Sequence, residues 1–559
     1  MSDTALDYNA ADPPAAGPGE TTKTTLRSWL SLIAVAFGIM VVQIDGTVVA
    51  IANPAIAADL KAGLDEIQWV TTGYLLVLAG LLIPMGTLAD KIGRKKGFLL
   101  GVGGFTLASA VCGMAGSIEV LVGGRVLQAI FGALLVPSAL AVIRAAFPAE
   151  KLAMAIGIFS SFTALALAAG PILGGVLVEV ASWPWVFFVN LPFGVLAVLL
   201  GLLCIKESTQ GTPAPLDVPG AITLTLAMVS VVWAISNAQV KGWVSTHTLG
   251  FLGLGLVLLG VFLVIELKSK HPMVPLGLFR DRSLSIGTVL MVVVMFAFYA
   301  ILFYLTFYLQ GVQGKNGVAA GIALLPLTAV FTISSPVGGW VTGKLGPRGA
   351  LVTGAVFVTG SLAVLLLLET DSGMLTLAPS LVLGGFGMGF MMVAATQAIL
   401  GNAPVDKAGV ASGVQQSMTQ LGGVLGTSVF GTLLASSVMA NFATNVRSAF
   451  AGGGGPVGEQ LANNEEVRKS VELGFGPASQ DAVATQLSQT GMPSGQVQEV
   501  VGTLTRAAHE TFIQGLHTVF GVAVGVAVVA GLVSLLVRNP KEDESAEAAP
   551  AAAEPSIHV

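Results

Sequence analysis

Charge is what this sequence has least of. Only 10% of its 559 residues are Asp, Glu, Lys or Arg, where a soluble domain carries about a quarter. Cysteine is nearly absent: Cys112 and Cys204 both lie in apolar runs and no CxxC pair exists. That excludes a disulfide framework and leaves two small buried hydrophobes. The five histidines, His247, His271, His509, His517 and His558, show no metal-ligand spacing. No nucleophile–base constellation accompanies them, so neither an enzyme nor a metal site is expected. One string, Gly338 to Lys344, fits GxxxxGK, but Leu345 stands where a phosphate-binding loop needs Ser or Thr. No nucleotide-binding domain and no nucleic-acid partner are expected. The N-terminus shows about 25 polar, Pro- and Ala-rich residues before an apolar run too long for a signal peptide core.

What is present is apolar sequence. Hydrophobic residues make up 54% of the chain, and its mean hydropathy is +0.83. Runs of about 20 such residues span a bilayer as helices. Fourteen are expected, near 28–58, 67–89, 97–117, 120–146, 152–180, 184–205, 220–240, 248–267, 284–310, 318–342, 349–369, 375–401, 408–440 and 512–537. The fold class is an all-α polytopic membrane protein, and 70 glycines suit close packing of such helices. Lys and Arg set its orientation: eighteen of the 26 lie in the tails and even-numbered junctions, against three in the short odd ones. Both termini are therefore expected in the cytoplasm, with the protein in the plasma (inner) membrane.

An internal repeat organises these spans. Gly86, Lys91, Gly93 and Lys95 recur 253 residues later as Gly339, Lys344, Gly346 and Arg348. An offset of 256 then relates Lys151, Gly157, Gly170 and Gly175 to Lys407, Gly413, Gly426 and Gly431. The expected organisation is a disordered tail (1–27), a six-helix half (28–205), a linker with two inserted helices (206–283), a second six-helix half (284–537) and a disordered tail (538–559). The second half includes the junction 441–511, read as a solvated extracellular excursion with short helices in preference to a gate. Two related halves place a substrate site near the midplane at their interface.

Asp45 lies in the middle of the first span. A carboxylate at that depth costs about 2.5–3.5 kcal/mol on insertion scales, and the expectation is that it carries a proton. Arg125 is the second deep charge, in the fourth span; read alone, it is either a side chain reaching for the interface or a partner inside the bundle. At the second junction Gly86, Asp90, Gly93 and Arg94 combine charge with a tight turn. Gly93 permits positive φ, and Asp90 is placed to cap a neighbouring helix or to pair with an Arg. In the fifth span Gly170, Pro171, Gly174 and Gly175 give a small face and a weak point that reads as a hinge.

These motifs together resemble a known family. Gly86-Thr-Leu-Ala-Asp90-Lys-Ile-Gly93-Arg94-Lys-Lys resembles the signature loop of the major facilitator superfamily. Asp45-Gly-Thr47 to Asn53-Pro54, Arg125-Val-Leu-Gln128 to Gly132, and Ala169-Gly170-Pro171 to Gly175 resemble motifs of its fourteen-helix drug:proton antiporters, the EmrB/QacA type. The chain departs from those motifs at Ala50, Asn53, Ala129 and Ala166. The resemblance implies proton coupling through Asp45 and Arg125, gating at Gly86, Asp90, Gly93 and Arg94, and no cofactor besides the coupling proton.

Gln43, Tyr74, Gln128, Asn190, Tyr299, Tyr304, Gln397, Gln415 and Gln416 are candidates for the pocket lining, against the alternative of hydrogen bonds between helices. The second half holds no deep Asp or Glu, and Phe298 is the 253-offset counterpart of Asp45. Coupling is thus expected in the first half, with neutral or singly charged lipophiles as substrates. The expected function is proton-coupled multidrug efflux by a monomer working in the lipid bilayer. Export or flipping of an endogenous lipid or secondary metabolite is the alternative, and a non-transporting receptor or scaffold a remote one.

Overall fold

The structure, a computed structural model, describes residues 25–62, 64–207, 217–269, 272–404, 407–451 and 455–538. The tails read as disordered lie outside these residues, save for 25–27 and 538.

The described elements are helical. α1 (Leu26–Leu60), α2 (Leu64–Ile92), α3 (Arg94–Gly113), α4 (Ile118–Ala146), α5 (Ala149–Val180), α6 (Trp185–Phe188) and α7 (Asn190–Cys204) are followed by α8 (Val218–Lys241) and α9 (Thr246–Lys268). Then come α10 (Arg282–Phe307), which ends in a π-helical turn (Tyr308–Val312), α11 (Gly317–Leu365), α12 (Met374–Asn402) and α13 (Ala408–Phe450). Three short helices, α14 (Gly455–Ala462), α15 (Glu465–Val471) and α16 (Pro477–Gln489), lead to α17 (Ser494–Ser534). Side-chain oxygens that take up free N–H groups mark several starts: Thr25 caps α1, Ser117 α4, Asp217 α8, Ser245 α9, Asp281 α10 and Asn316 α11.

Among the described residues, thirteen spans are long and apolar enough to cross a membrane. α11 runs for 49 residues but breaks at Gly346, whose φ of 80° and ψ of 167° are not helical. The expected fourteen count its two arms separately. Gly93, the repeat counterpart of Gly346, also has positive φ, at 105°. An L-residue with a Cβ is strained there, so the chain turns between α2 and α3 and between the arms of α11 on the same device.

The repeat extends to packing. A Cβ on Gly86 of α2 would sit 2.3 Å from the Gly409 carbonyl oxygen on α13. The equivalent contact puts a Cβ on Gly339 of α11 2.4 Å from the Ala153 oxygen on α5. One turn further in, Gly413 meets the Leu82 backbone and Gly157 meets the Ser335 backbone. Ala153 and Gly157 are related to Gly409 and Gly413 by the 256 offset, and Leu82 to Ser335 by 253. The α2–α13 and α5–α11 crossings are two copies of one small-residue contact. The inserted helix α8 lies against both α2 and α13: Gly80 abuts Thr225 and Val229, and the Ser428 hydroxyl donates to the Ile235 carbonyl at 2.7 Å.

The segment 441–511 differs from a solvated excursion. Val467, Val471, Phe475, Val483 and Leu487 are buried in the same core as Phe442, Val446, Val497 and Leu504. The reason is length. α13 has 43 residues and α17 has 41, about 60 Å each at 1.5 Å per residue, twice the roughly 30 Å hydrocarbon core. Their ends project beyond it with an apolar stripe, and α14–α16 cover that stripe.

Candidate functional site

Five helices converge on Asp45, which is fully buried on α1. Arg125 and Gln128 sit three residues apart on α4, and therefore on one face. The Arg125 guanidinium donates through Nη1 to Asp45 Oδ2 and, at 3.0 Å, to Gln128 Oε1, while its Nε donates to the Val70 carbonyl at 3.0 Å. Asp45 Oδ1 accepts from Gln128 Nε2 and from Asn190 Nδ2, both at 3.0 Å. Asn190 also donates to Ser109 Oγ at 3.0 Å, and Ser109 donates to the Phe187 carbonyl at 2.9 Å. The Cys112 thiol, one turn along α3, donates to Gln128 Oε1 at 3.3 Å. The Tyr74 ring from α2 lies over the guanidinium, 4.0 Å from its carbon.

Arg125, 1% exposed, does not reach for an interface. A buried pair is tolerable only when further hydrogen bonds satisfy its remaining donors and lone pairs, and Gln128, Asn190 and Val70 supply them. Protonating Asp45 would remove the countercharge and leave Arg125 on the Val70 and Gln128 oxygens and the Tyr74 ring.

A cavity of about 120 Å³ adjoins this network. Gln43, Gly46 and Thr47 of α1, Tyr74 of α2 and Thr163 of α5 line one side; Met295, Phe298, Tyr299, Phe331, Met392, Gln416, Thr419 and Gln420 of α10–α13 line the other. A neighbouring cavity of about 30 Å³ shares Gln43 and Gln416 and adds Ser160, Thr396 and Gln415. Neither lining contains Asp, Glu, Lys or Arg.

Of the pocket candidates, Gln43, Tyr74, Tyr299, Gln415 and Gln416 line these cavities. Gln128 and Asn190 instead hold Asp45. The Tyr304 hydroxyl donates to the Thr427 carbonyl at 2.6 Å, within a helix contact, and Gln397 packs against Gly401, outside both linings. Sequence reasoning missed Ser109, Thr419 and Gln420 and read Cys112 as only a packing residue. The available signal was the polar pair Ser109 and Cys112 at helical spacing in an apolar run.

The gating residues divide in the same way. Asp90 Oδ2 accepts from the N–H groups of Gly409 and Val410 at 2.8 and 3.2 Å, at the start of α13, and Arg94 Nε donates to Oδ1 at 3.5 Å. Cap and ion pair are thus both realised. A Cβ on Gly170 would fall 1.7 Å from Thr47 Oγ1, so α5 presses on α1 two residues from Asp45. Gly174 is buried and Gly175 faces open space. α5 runs as continuous helix through Pro171, whose side chain lies outside the described residues.

Two related bundles around an uncharged central cavity, with one buried ion pair at its edge, define a membrane transporter fold. The chain belongs to the major facilitator superfamily, whose sequence model matches residues 35–427. It is 42% identical over 522 residues, 93% of each chain, to the tetracenomycin C resistance and export protein of Streptomyces glaucescens. It is 34% identical over 421 residues, 75% of this chain and 78% of the other, to the multidrug resistance protein Stp of Mycobacterium tuberculosis. The crystal structure of the human organic anion transporter MFSD10 shares the fold, with a TM-score of 0.54 at 12% identity over 91% of this chain and 98% of that one.

Proposed function

We propose that the protein is a proton-coupled exporter of lipophilic neutral or monocationic compounds, working as a monomer in the plasma membrane with both termini cytoplasmic. The observation that carries this reading is the buried Asp45–Arg125 pair at the edge of a cavity lined without charge. An uncharged lining with aromatic and amide groups suits varied greasy molecules. A neutralised carboxylate beside it suits a proton carrier.

The described state has its basic end shut. Besides the Asp90 contacts, Arg144 Nε donates to the Leu400 carbonyl at 3.0 Å and the Ser412 hydroxyl to the Pro137 carbonyl at 2.9 Å. With that end in the cytoplasm, substrate leaves outward from this state. A proton then loads Asp45, the bundles rock about the glycine crossings, and the proton is released inward while substrate enters. One charge moving inward yields about 2.3 kcal/mol per 100 mV, enough for roughly a 50-fold gradient of a neutral substrate.

A narrower reading, dedicated export of an aromatic antibiotic, is supported by the identity to the tetracenomycin protein across 93% of both chains. The test is uphill efflux from energised vesicles of ethidium, a dicationic dye and tetracenomycin C, with wild type, Asp45→Asn and Arg125→Ala. Asp45→Asn is expected to fold and to lose uphill efflux of every compound; normal efflux from it refutes the assignment. Transport of tetracenomycin C alone selects the narrower reading, and equal export of the dication rules out the charge preference.

A further inference from the structure

We propose that Tyr74 is the residue through which a substrate in the central cavity and the proton on Asp45 sense one another, and that the substrates it reads are aromatic molecules with a carbonyl or phenolic oxygen at their edge. The proposal rests on Asp45 being the proton carrier and adds to it the part that communicates.

Tyr74 stands between the two sites. Its ring lies 4.0 Å from the guanidinium carbon of Arg125, and the same side chain lines the cavity beside Gln43 and Thr47. It is 2% exposed, yet its hydroxyl has no hydrogen-bond partner. Buried hydroxyls nearly always have one, and the contrast with Tyr304 and Tyr308, whose hydroxyls donate to carbonyls of Thr427 and Glu369, is direct. The hydroxyl is buried beside the cavity wall that the same side chain lines, and a substrate oxygen that drew it into the cavity would give it the acceptor it lacks. The rest of that wall defines the class: Phe298, Tyr299 and Phe331 offer ring faces, and Gln416 and Gln420 offer amides.

The coupling follows from charge. The groups facing Asp45 are Arg125 from α4, Tyr74 from α2 and Cys112 from α3, with uncharged Gln128, Asn190 and Phe187 from α4, α7 and α6, and Gly170 from α5 at the neighbouring Thr47. With Asp45 ionised, its carboxylate balances Arg125. When Asp45 takes a proton, the guanidinium depends more on the Tyr74 π-face, since a desolvated cation over an aromatic ring is attracted to it. The ring, already 4.0 Å from the guanidinium carbon, is then held there more firmly and its hydroxyl kept from the cavity. A substrate oxygen that accepts from this hydroxyl holds the ring in the cavity and favours the ionised carboxyl, whose proton passes to water. Linkage makes the effect mutual: proton weakens substrate and substrate expels proton by one factor.

Binding to purified full-length protein tests this, with 1,8-dihydroxyanthraquinone as the oxygen-bearing probe and ethidium as a planar probe without acceptor oxygens. Wild type is expected to bind the anthraquinone about tenfold more weakly at pH 5.5 than at pH 8 and to release protons on binding, within the usual range of coupling between sites. Asp45→Asn abolishes both effects. Tyr74→Leu also abolishes proton release, although Asp45 and Arg125 remain. Tyr74→Phe keeps the ring but loses the pH dependence, and it binds the anthraquinone at pH 8 about fivefold more weakly, the worth of one hydrogen bond near 1 kcal/mol, with ethidium unchanged. Undiminished proton release from Tyr74→Leu overturns the role of Tyr74 while leaving Asp45 intact; pH-dependent binding by Asp45→Asn overturns the carrier itself. Wild-type affinity of Tyr74→Phe for the anthraquinone, or no binding of it by wild type, overturns the substrate class.

Discussion

Helices α1–α7 and helices α10–α17 share their contacts but not their charge. Gly86 on Gly409 and Gly339 on Ala153 are the same backbone approach made twice, and Gly93 and Gly346 turn the chain with the same positive φ. At the position of Asp45 the second bundle has Phe298, which lines the cavity and packs edge-on against Phe331 and Tyr299. At the position of Asp90 it has Gly343. Motion needs both bundles to slide alike, so the glycine crossings are duplicated. In the proposed function coupling needs one titrating group, which fits a single carboxylate with an aromatic counterpart left to the cavity wall.

The largest expected effect comes from removing one member of the ion pair and comparing it with the symmetric apolar site. Arg125→Leu leaves the Asp45 carboxyl buried without its countercharge and should lower stability by about 3–5 kcal/mol. Phe298→Leu, which only trims a packed ring, should cost about 1–2 kcal/mol. Asp45→Leu combined with Arg125→Leu should recover most of the first loss, because no orphaned charge remains. Thermal unfolding in detergent measures all three. Equal losses for Arg125→Leu and Phe298→Leu would show that the two bundles are alike in energy despite their different chemistry.

How much of this was legible depends on the kind of signal. Asp45 and Arg125 stood out because an apolar run makes any charge expensive, and the glycines of the second junction stood out because the repeat displays them twice. Gln128 and Asn190 were picked out as polar but read as pocket lining, and both proved to hold Asp45. Helix rotation decides that choice, and a span that is apolar all round carries no stripe from which to read its rotation. Tyr304 was misplaced for the same reason. The short helices of 441–511 were legible but their burial was not, because it comes from two protruding helix ends far apart in sequence.

A smaller effect separates the duplicated crossing from its unduplicated lock. Gly86→Ala and Gly339→Ala each put a Cβ within 2.5 Å of a backbone oxygen, and relieving such overpacking costs about 1–3 kcal/mol. Both should push the basic ends of the bundles apart to similar extents. Asp90→Ala removes an anion from the start of α13, worth roughly 0.3–2 kcal/mol, and has no counterpart at Gly343. It should open the basic end less than Gly86→Ala does. Spin labels on the exposed Lys96 and Lys344, one in each bundle, report the separation. A larger opening from Asp90→Ala would mean that the charged lock, not the glycine crossing, holds this state.

The smallest effect contrasts two ion pairs rather than two bundles. Arg447 donates from Nε and Nη2 to the two carboxylate oxygens of Glu459, both at 2.8 Å, so the pair is bidentate, as Arg125–Asp45 is not, and stands in water. Hydrogen bonds from Arg447 and Asn463 pull the Glu459 carboxyl down from its ordinary 4.5 to about 2. A group depressed in the folded state stabilises it above its unfolded value, and that contribution disappears as pH falls through the folded one. Glu459→Gln should therefore be slightly less stable than wild type at pH 6, with the gap narrowing below pH 4.5 and closing near pH 2. Solvent and salt screen an exposed pair, so raising the salt at pH 6 should shrink the same gap, whereas the loss from Arg125→Leu should hardly respond to salt. Unfolding of the two variants beside wild type at low and high salt checks both, and a Glu459→Gln deficit as large and as salt-insensitive as that of Arg125→Leu would erase the distinction between the cap and the core.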